Sequence, residues 1–373
     1  MNDRHTPERG RIRIVGFDDD DNRSDNDANG DYDTDGATPT GSSAGPTTTA
    51  ETETMGASTL LQPGRRLENA WRQFRRNRSA MAGLTVIVGM AVLAVFARPI
   101  AISTTEVTIT LQPFSLAPSD PSATFVGPAN APPSLAHPFG TDWAGRDQFS
   151  RVLVGGRYTL SIGLVAVALA LCVGVPLGAI AGYFGGWIDE AIMRVVDVLY
   201  AFPLLVLAIA IVPILDPVPI LGSSYWTVVV ALAVTGWIGY ARLLRGEVLS
   251  IREREYVTAA RVLGVPDRTI IRRHVVPNAI APVIVQATLN VGTVVLTAAA
   301  LGFLGLGLEP GSAEWGAMLA QGRSSLLRGD WHITVFPGLA IFLFVLAINL
   351  VGDGINDALE PDRDGGDDRR RIR

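Results

Sequence analysis

The sequence predicts an all-α protein that crosses a membrane several times, and three observations support this fold class. Of its 373 residues, 48% are hydrophobic and only 18% are charged. From Met81 onward, apolar stretches recur that are near or above the ~20 residues a helix needs to span a bilayer. Arginines crowd some connections between these stretches and are nearly absent from others, as in a protein with a fixed membrane orientation.

Six apolar segments are predicted to be membrane-spanning helices. They are Ala80–Ile102, Tyr158–Tyr183, Ile188–Leu215, Tyr225–Ala241, Ala279–Leu306 and Ile333–Val351. The last five would form a helical core over 158–352, which includes a connecting loop over 242–278.

A short amphipathic helix is predicted ahead of the first span, over 65–79. Leu67, Trp71 and Phe74 recur there at helical spacing among arginines, which is typical of a helix lying in the membrane interface. The same arginines are equally well explained as the basic flank of the first span.

Arginine placement also predicts the orientation. The segment before the first span and the connection between the fourth and fifth spans are rich in Arg, whereas the connections on either side of the third span are nearly free of it. Positive residues stay in the cytoplasm, so both Arg-rich segments, and with six spans both termini, are expected inside. The Pro-rich loop 103–157 would then lie outside. We therefore expect a multi-pass protein of the plasma membrane, surrounded by the lipid bilayer.

The two ends of the chain are polar. Asp occupies nearly every second position between Asp18 and Asp35, and a Thr-, Ser- and Gly-rich stretch follows. Such sequences cannot bury enough apolar area to offset the entropy lost on ordering. We predict a disordered cytoplasmic tail over 1–64, solvated rather than an acidic interaction arm, and a charged cytoplasmic tail over 353–373.

The second span carries glycines at every fourth position, namely Gly174, Gly178, Gly182 and Gly186. A stripe of this kind lets another helix approach closely, so it predicts helix packing and specifies no ligand.

The loop between the fourth and fifth spans has a layout that orientation alone does not require. A first helix is predicted at about Ile251–Leu263, and Gly264 suits the left-handed conformation that ends a helix. Pro266 and Asp267 would open a second helix. Pro277 would break the chain again before the fifth span.

One side of the first predicted helix in this loop is small and apolar. Val257, Ala260 and Leu263 form it. A short helix with such a side, standing clear of the membrane, fits a groove in a partner protein. A plain basic loop would also satisfy the orientation rule, but the alternation of helices, Gly and Pro favours the partner.

This loop resembles the signature loop of permease subunits of ATP-binding-cassette (ABC) importers. In that family a Glu-Ala-Ala triplet is followed at fixed spacing by Gly and by an Ile-x-Leu-Pro element. The chain keeps this spacing with Thr258-Ala259-Ala260, Gly264 and His274-Val275-Val276-Pro277, although Thr258 replaces the Glu and His274 replaces the Ile. The resemblance implies that the loop docks into a cleft of a separate ATPase subunit and transmits its ATP-driven closure.

The resemblance assigns ATPase coupling to the residues Glu255, Tyr256, Thr258, Ala259, Ala260, Gly264, Pro277 and Asn278. Because Thr258 stands where the family has an acid, we expect Ala259, Ala260 and Gly264 to matter through shape. Glu255 or Arg254 would supply any charge.

Three further stretches make the chain most similar to the second permease of dipeptide and oligopeptide importers, a branch that also carries nickel. They are Arg75–Gly83, His137–Asp147, and the run of segments Phe336–Phe342, Asn349–Gly354 and Asp357–Pro361. The resemblance covers about 65–361. It implies a di- or oligopeptide or similar small solute as substrate, and ATPase subunits, a homologous second permease in a heterodimer and an extracellular substrate-binding protein as partners. It implies no cofactor and no nucleic acid.

Neutral polar residues within the spans are candidates for lining a translocation path. They are Gln286, Asn290 and Asn349. Hydrogen bonds between helices explain each of them equally well or better. Asp197 is a candidate by the same logic, although a local ion pair with Arg194 is favoured for it.

The chain offers no catalytic chemistry of its own. It contains no Lys, so it cannot supply the Lys of a phosphate-binding P-loop, and ATP hydrolysis is expected on a partner chain. Cys172, the single cysteine, is expected to be a packing residue. Neither a catalytic set for an intramembrane enzyme nor a metal motif is apparent.

A polar group outside the spans is a candidate ligand site. It consists of His137, Asp142, Arg146 and Asp147. Their spacing lacks a ligand pattern, so a structural role is favoured, with Arg146 paired to one of the Asp residues. The alternative function for the whole chain is a secondary transporter driven by an ion gradient. Such transporters usually show internal repeats and midplane coupling residues, and neither is evident here.

Overall fold

A computed structural model of the protein describes residues 63–103 and 108–359. The predicted N-terminal tail up to residue 62, and the predicted C-terminal tail from residue 360, lie outside the described residues. The helices are α1 (Pro63–Arg76), α2 (Arg78–Phe96), α3 (Gln148–Phe184), α4 (Gly186–Tyr200), α5 (Leu204–Leu215), α6 (Ser224–Ile251), α7 (Glu255–Val262), α8 (Asp267–Ile270), α9 (Val276–Ala279), α10 (Ala281–Phe303), α11 (Trp315–Leu327) and α12 (His332–Leu359). A small antiparallel hairpin, β1 (Ile100–Ser103) and β2 (Thr108–Gln112), follows α2.

Five of these helices, α2, α3, α6, α10 and α12, are long and apolar enough to cross a membrane. The fold class is therefore confirmed as an α-helical polytopic membrane protein, with the hairpin as a minor addition. The predicted third span is not one straight helix, because α4 and α5 meet at an angle of 94°. Pro203 explains the bend, since it lacks an N–H and disfavours a helical conformation for Phe202 before it.

Several predicted boundaries differ from those in the structure. The helix α2 ends at Phe96, well before Ile102, because Pro99 follows and the chain turns into β1. In contrast, α3 and α6 continue into polar sequence and shorten the predicted loops 103–157 and 242–278. Asp147 begins α3, since its side chain accepts a hydrogen bond from the Ser150 N–H at 2.8 Å.

The helices α3 and α6 lie closest together along the glycine stripe. A Cβ at Gly174 or Gly178 would lie 2.6 or 2.5 Å from a backbone carbonyl oxygen of α6, and one at Gly182 would lie 2.8 Å from Cβ of Val248. Only glycine permits so close an approach of two backbones. Gly186 takes no part in this contact and is the first residue of α4, with φ of +55°.

The short helix α1 packs against the end of α12. Phe74 is buried there beside Gly354, where a Cβ would lie 3.1 Å from the Phe74 ring. The side-chain amide of Asn77 donates a hydrogen bond to Asp357 at 3.0 Å and thereby links α2 to α12. Trp71 stacks on Phe74 with ring centroids 5.7 Å apart and remains half exposed, as an interfacial Trp would.

The connections gather at two ends of the bundle. The basic end carries α1, α4 and α7–α9, and the opposite end carries the hairpin, the segment 113–147 and α11. At the basic end, ion pairs tie α4 to α6, with Asp189 bound to Arg245 at 2.6 Å and Asp197 bound to Arg242 at 2.5 Å. The expected pairing of Asp197 with Arg194 is wrong, because α6 presents Arg242 to it.

Candidate functional site

The predicted partner-binding loop at the basic end is built from short helices. The single first helix expected over Ile251–Leu263 is split, because α6 ends at Ile251 and α7 begins at Glu255 after a turn. The helix α8 starts at Asp267, directly after Pro266, as predicted.

Gly264 ends α7 in the left-handed conformation, with φ of +75°, and this prediction is confirmed. The N–H of Val265 donates to the carbonyl of Ala260 at 3.1 Å, and the N–H of Gly264 donates to that of Arg261 at 3.0 Å. This pair of bonds is the Schellman motif, which satisfies the last carbonyls of the helix. The motif fixes the direction in which the chain leaves α7.

The inner side of α7 belongs to the core of this chain. Val257 and Ala260 are 0% and 8% exposed and join a cluster that includes Val248 of α6, together with Ile270 and Val275 from the segment after α7. The expectation that Val257 and Ala260 face a partner is therefore wrong. Their small size instead lets α7 lie close to the membrane-spanning helices.

The outer side of α7 is exposed and largely apolar. Val262 and Leu263 are 83% and 81% exposed, and Tyr256 is 44% exposed. Ala259 and Glu255 are also exposed and lie on the same side as Val262, one and two helical turns before it, respectively. Large apolar side chains that project together into solvent mark a protein-contact surface. We call this surface, Glu255, Tyr256, Ala259, Val262 and Leu263, the outer face of α7.

The remaining residues predicted for coupling are placed differently. Thr258 is exposed beside the outer face. Pro277 does not break the chain as expected, because it lies inside α9, and the interruption falls at Ile280. Since Pro277 has no N–H to donate, the preceding residues 271–275 widen into a π-helix. The side chain of Asn278 donates to the carbonyl of His274 at 2.6 Å.

A polar contact joins the loop to α3. The hydroxyl of Tyr183 donates to the Asp267 carboxylate at 2.6 Å, and the Arg261 guanidinium lies over the Tyr183 ring, 5.5 Å from its centroid. The start of α8 and the end of α7 are therefore held to the same side chain of α3.

The three polar candidates for a path are not all together. Gln286 donates to Asn290 at 3.0 Å, and Asn290 donates to the Tyr240 hydroxyl of α6 at 3.2 Å. Asn349 lies exposed on α12 and makes no side-chain hydrogen bond with the described residues. Cys172, expected to pack, is instead exposed on α3.

The polar side of α10 is longer than the sequence suggested. Thr293 and Thr297 follow Gln286 and Asn290 at helical spacing, so four uncharged polar residues lie along one side of the helix. Of these, Gln286 and Thr293 are exposed and the other two are partly exposed. Spacing alone could have revealed the two threonines.

The polar group at the opposite end forms buried pairs. The Arg146 guanidinium donates to Asp142 at 2.7 Å, which confirms the expected pairing, and both residues are buried. Arg146 and Arg151 also donate to the side-chain oxygen of Gln321 at 3.0 and 3.1 Å. The cluster thereby fastens the segment before α3 to α11.

The other two members of that group have structural partners. His137 lies 2.9 Å from Asp147, whose second oxygen caps α3. Within residues 63–103 and 108–359, no set of three His, Cys, Asp or Glu side chains is arranged to hold a metal ion.

The helix α11 and its capping residue, Glu314, were not predicted. Glu314 is buried and accepts hydrogen bonds from the N–H groups of Gly316 and Ala317, both at 2.8 Å, and from the Thr159 hydroxyl at 3.1 Å. Burial raises the pKa of Glu314. An acidic residue directly before a short helical run is an N-cap signal, so Glu314 is the sequence feature from which α11 could have been predicted.

Comparison with known proteins agrees with this geometry. The family model described as "Binding-protein-dependent transport system inner membrane component" matches residues 174–365. A second model, the N-terminal TM domain of oligopeptide transport permease C, matches residues 66–133.

Two curated relatives are similar over most of their length. The dipeptide transport system permease protein DppC of Alkalihalophilus pseudofirmus is 42% identical over 81% of this chain and 91% of its own. The glutathione transport system permease protein GsiD of Escherichia coli O6:K15:H31 is 42% identical over 78% of this chain and 89% of its own. A solved MetNI methionine ABC transporter covers 54% of this chain and 93% of its own, at 20% identity and a TM-score of 0.45, too distant to indicate a substrate or an assembly.

The apolar helices and the matched family together establish a multi-pass inner-membrane protein. Membership of this family also excludes the alternative function, a secondary transporter driven by an ion gradient. The chain belongs to the family of binding-protein-dependent transport system inner membrane components, the permease subunits of ABC importers.

Proposed function

We propose that this chain forms part of the translocation path of a peptide importer and receives the work of ATP hydrolysis from a separate ATPase subunit. The similarity to a dipeptide permease and a glutathione permease supports short peptides as the substrate class. Dipeptides, longer peptides and similar small solutes fit this proposal.

The outer face of α7 is the observation that carries the coupling role. Its apolar side chains have no cover within the described chain, while Val257 and Ala260 on the inner side are packed in the core. A subunit that binds the outer face would therefore push on a helix that cannot move independently of α6. This is the arrangement that transmission of a mechanical step requires.

The polar side of α10 is proposed as a lining of the path. Gln286, Asn290, Thr293 and Thr297 offer hydrogen-bond donors and acceptors without a fixed charge. Peptides differ in their side chains but share amide groups, so neutral partners and water suit a path that accepts many sequences. Asn349 belongs to this proposal with less support, because it lies on α12 apart from the others.

The proposed assembly follows from the same surfaces. The basic end lies in the cytoplasm with both termini, since arginines are retained there. The ATPase subunits bind at that end and the extracellular substrate-binding protein at the opposite end. A homologous second permease completes the path, and lipid surrounds the rest.

A test of the coupling role replaces Leu263 with Asp in the reconstituted importer, with its ATPase, second permease and binding protein present. We expect binding of the ATPase to weaken by about tenfold or more, because a charge enters an apolar contact. Leu327→Asp is the matched control, since Leu327 is 88% exposed at the opposite end. Equal ATPase binding by the two variants would contradict the proposal.

A second measurement tests the substrate and the energy source. Uptake of a labelled dipeptide should require ATP and should fall in Gln286→Leu, while ATPase binding stays unchanged. Uptake driven by an ion gradient without ATP would overturn the proposed energy source. Uptake of nickel in place of peptide would overturn the substrate class.

A further inference from the structure

An apolar groove of about 590 Å³ runs along α3 at the basic end. One wall is the α3 segment from Val175 to Phe184, with Pro176 and Ile180 exposed along it. The other wall is formed by the chain after α8, including Ile271. Apart from two arginines, every side chain that lines the groove is apolar.

The two arginines, Arg268 and Arg272, lie one helical turn apart and are both exposed. Neither forms an ion pair with a described residue. No carboxylate lines the groove, and the neighbouring Asp267 is already hydrogen-bonded to Tyr183. The groove therefore combines a long apolar wall with two positive charges that lack a counter-ion.

The position of the groove in the membrane follows from α3, which is a membrane-spanning helix that ends at Phe184. Trp187, three residues later at the start of α4, is largely exposed, as is common where a helix meets the headgroup layer. The arginines thus lie at headgroup level, while Val175 lies deeper, at hydrocarbon level. Basic pockets of this kind between helices recognise anionic lipid headgroups.

We propose that this groove binds one anionic phospholipid, with its phosphate between Arg268 and Arg272 and an acyl chain along α3 from Phe184 to Val175. This inference goes beyond the transport role and does not depend on the substrate. A phospholipid matches both halves of the site at once, the apolar wall and the unpaired guanidinium groups. A protein helix in the same place would have to bring its own acids into the membrane interface.

The test uses the assembled importer and counts retained lipid by native mass spectrometry, with phosphatidylglycerol as the probe and phosphatidylcholine as the neutral reference. Wild type should retain phosphatidylglycerol in preference to phosphatidylcholine. The double variant Arg268→Gln with Arg272→Gln should bind it about thirtyfold more weakly, since two headgroup contacts are lost. The double variant Arg194→Gln with Arg273→Gln removes the same charge at the same end and should retain the lipid.

Further measurements distinguish a phospholipid site from attraction by surface charge alone and from a simple anion site. Ile180→Trp fills the groove and keeps both arginines, so it should also lose the lipid; retention would show that surface charge alone attracts it and would overturn the site. Displacement of the lipid by inorganic phosphate would show that the groove recognises only an anion, and it would overturn the phospholipid site. Absence of preferential retention in the wild-type assembly would overturn the proposal.

Discussion

Replacement of Gly178 by Ala should loosen the central contact between α3 and α6. The added Cβ would lie 2.5 Å from the carbonyl oxygen of Ala241 and 3.0 Å from its Cα. These are backbone atoms, so no side chain can rotate away, and the two helices must separate locally by about 1 Å to reach van der Waals distance. Overpacking of this kind costs about 1–3 kcal/mol, against a gain of about 1 kcal/mol in helix propensity.

A glycine of α6 without neighbours supplies the control. A Cβ at Gly246 meets no atom within 4 Å, so Gly246→Ala retains only the propensity gain and should be neutral or stabilising. Tryptophan fluorescence of the purified proteins, heated at one scan rate in one detergent, gives the apparent melting temperatures. The propensity gain is the same in both variants, so the overpacking cost alone separates them, and we expect Gly178→Ala to melt roughly 2–5 °C below Gly246→Ala. Equal melting temperatures would refute the close-packing argument.

Two predictions concern the opposite end. Arg146→Met should destabilise the protein by about 3 kcal/mol, because Arg151, at 3.7 Å, is then the nearest cation to the buried Asp142 carboxylate, which keeps only its hydrogen bonds from the N–H groups of residues 144 and 146 besides. Adding Asp142→Asn should restore part of the melting temperature. Burial raises the pKa of Glu314, so the native state holds that proton more tightly than the unfolded state. Stability should therefore fall as pH rises from the ordinary carboxyl value through the raised one, and Glu314→Gln should lack this fall in a series of melting curves.

The sequence was sufficient for the features that depend on local pattern. The apolar stretches predicted the spanning helices, and Gly264 predicted the end of α7. Both predictions succeeded because they depend only on residues adjacent in sequence.

The errors arose where distant segments decide the outcome. The inner side of α7 seemed free for a partner because the sequence does not show that Val257 meets α6 and the chain after α7. Asp197 was paired with Arg194, its neighbour in sequence, whereas the fold brings Arg242 closer. The helix α11 is short, and its cap is buried by residues from α3, so its stability comes from tertiary contacts.

The last prediction separates shape from charge at the coupling loop. Thr258 is exposed, and an acid there would gain only weak surface pairs with Arg254 and Arg261. Thr258→Glu, which restores the family's residue, should therefore change ATP-driven uptake by less than about threefold. Ala260 is buried on the inner side of α7, and Ala260→Leu should push the helix outward because the core has no room for the added side chain. The variant should then still bind the ATPase through the outer face but hydrolyse ATP without uptake. An importer that tolerates Ala260→Leu and fails with Thr258→Glu would show that charge couples the subunits, because the packing of α7 on α6 would then have no part in transmission.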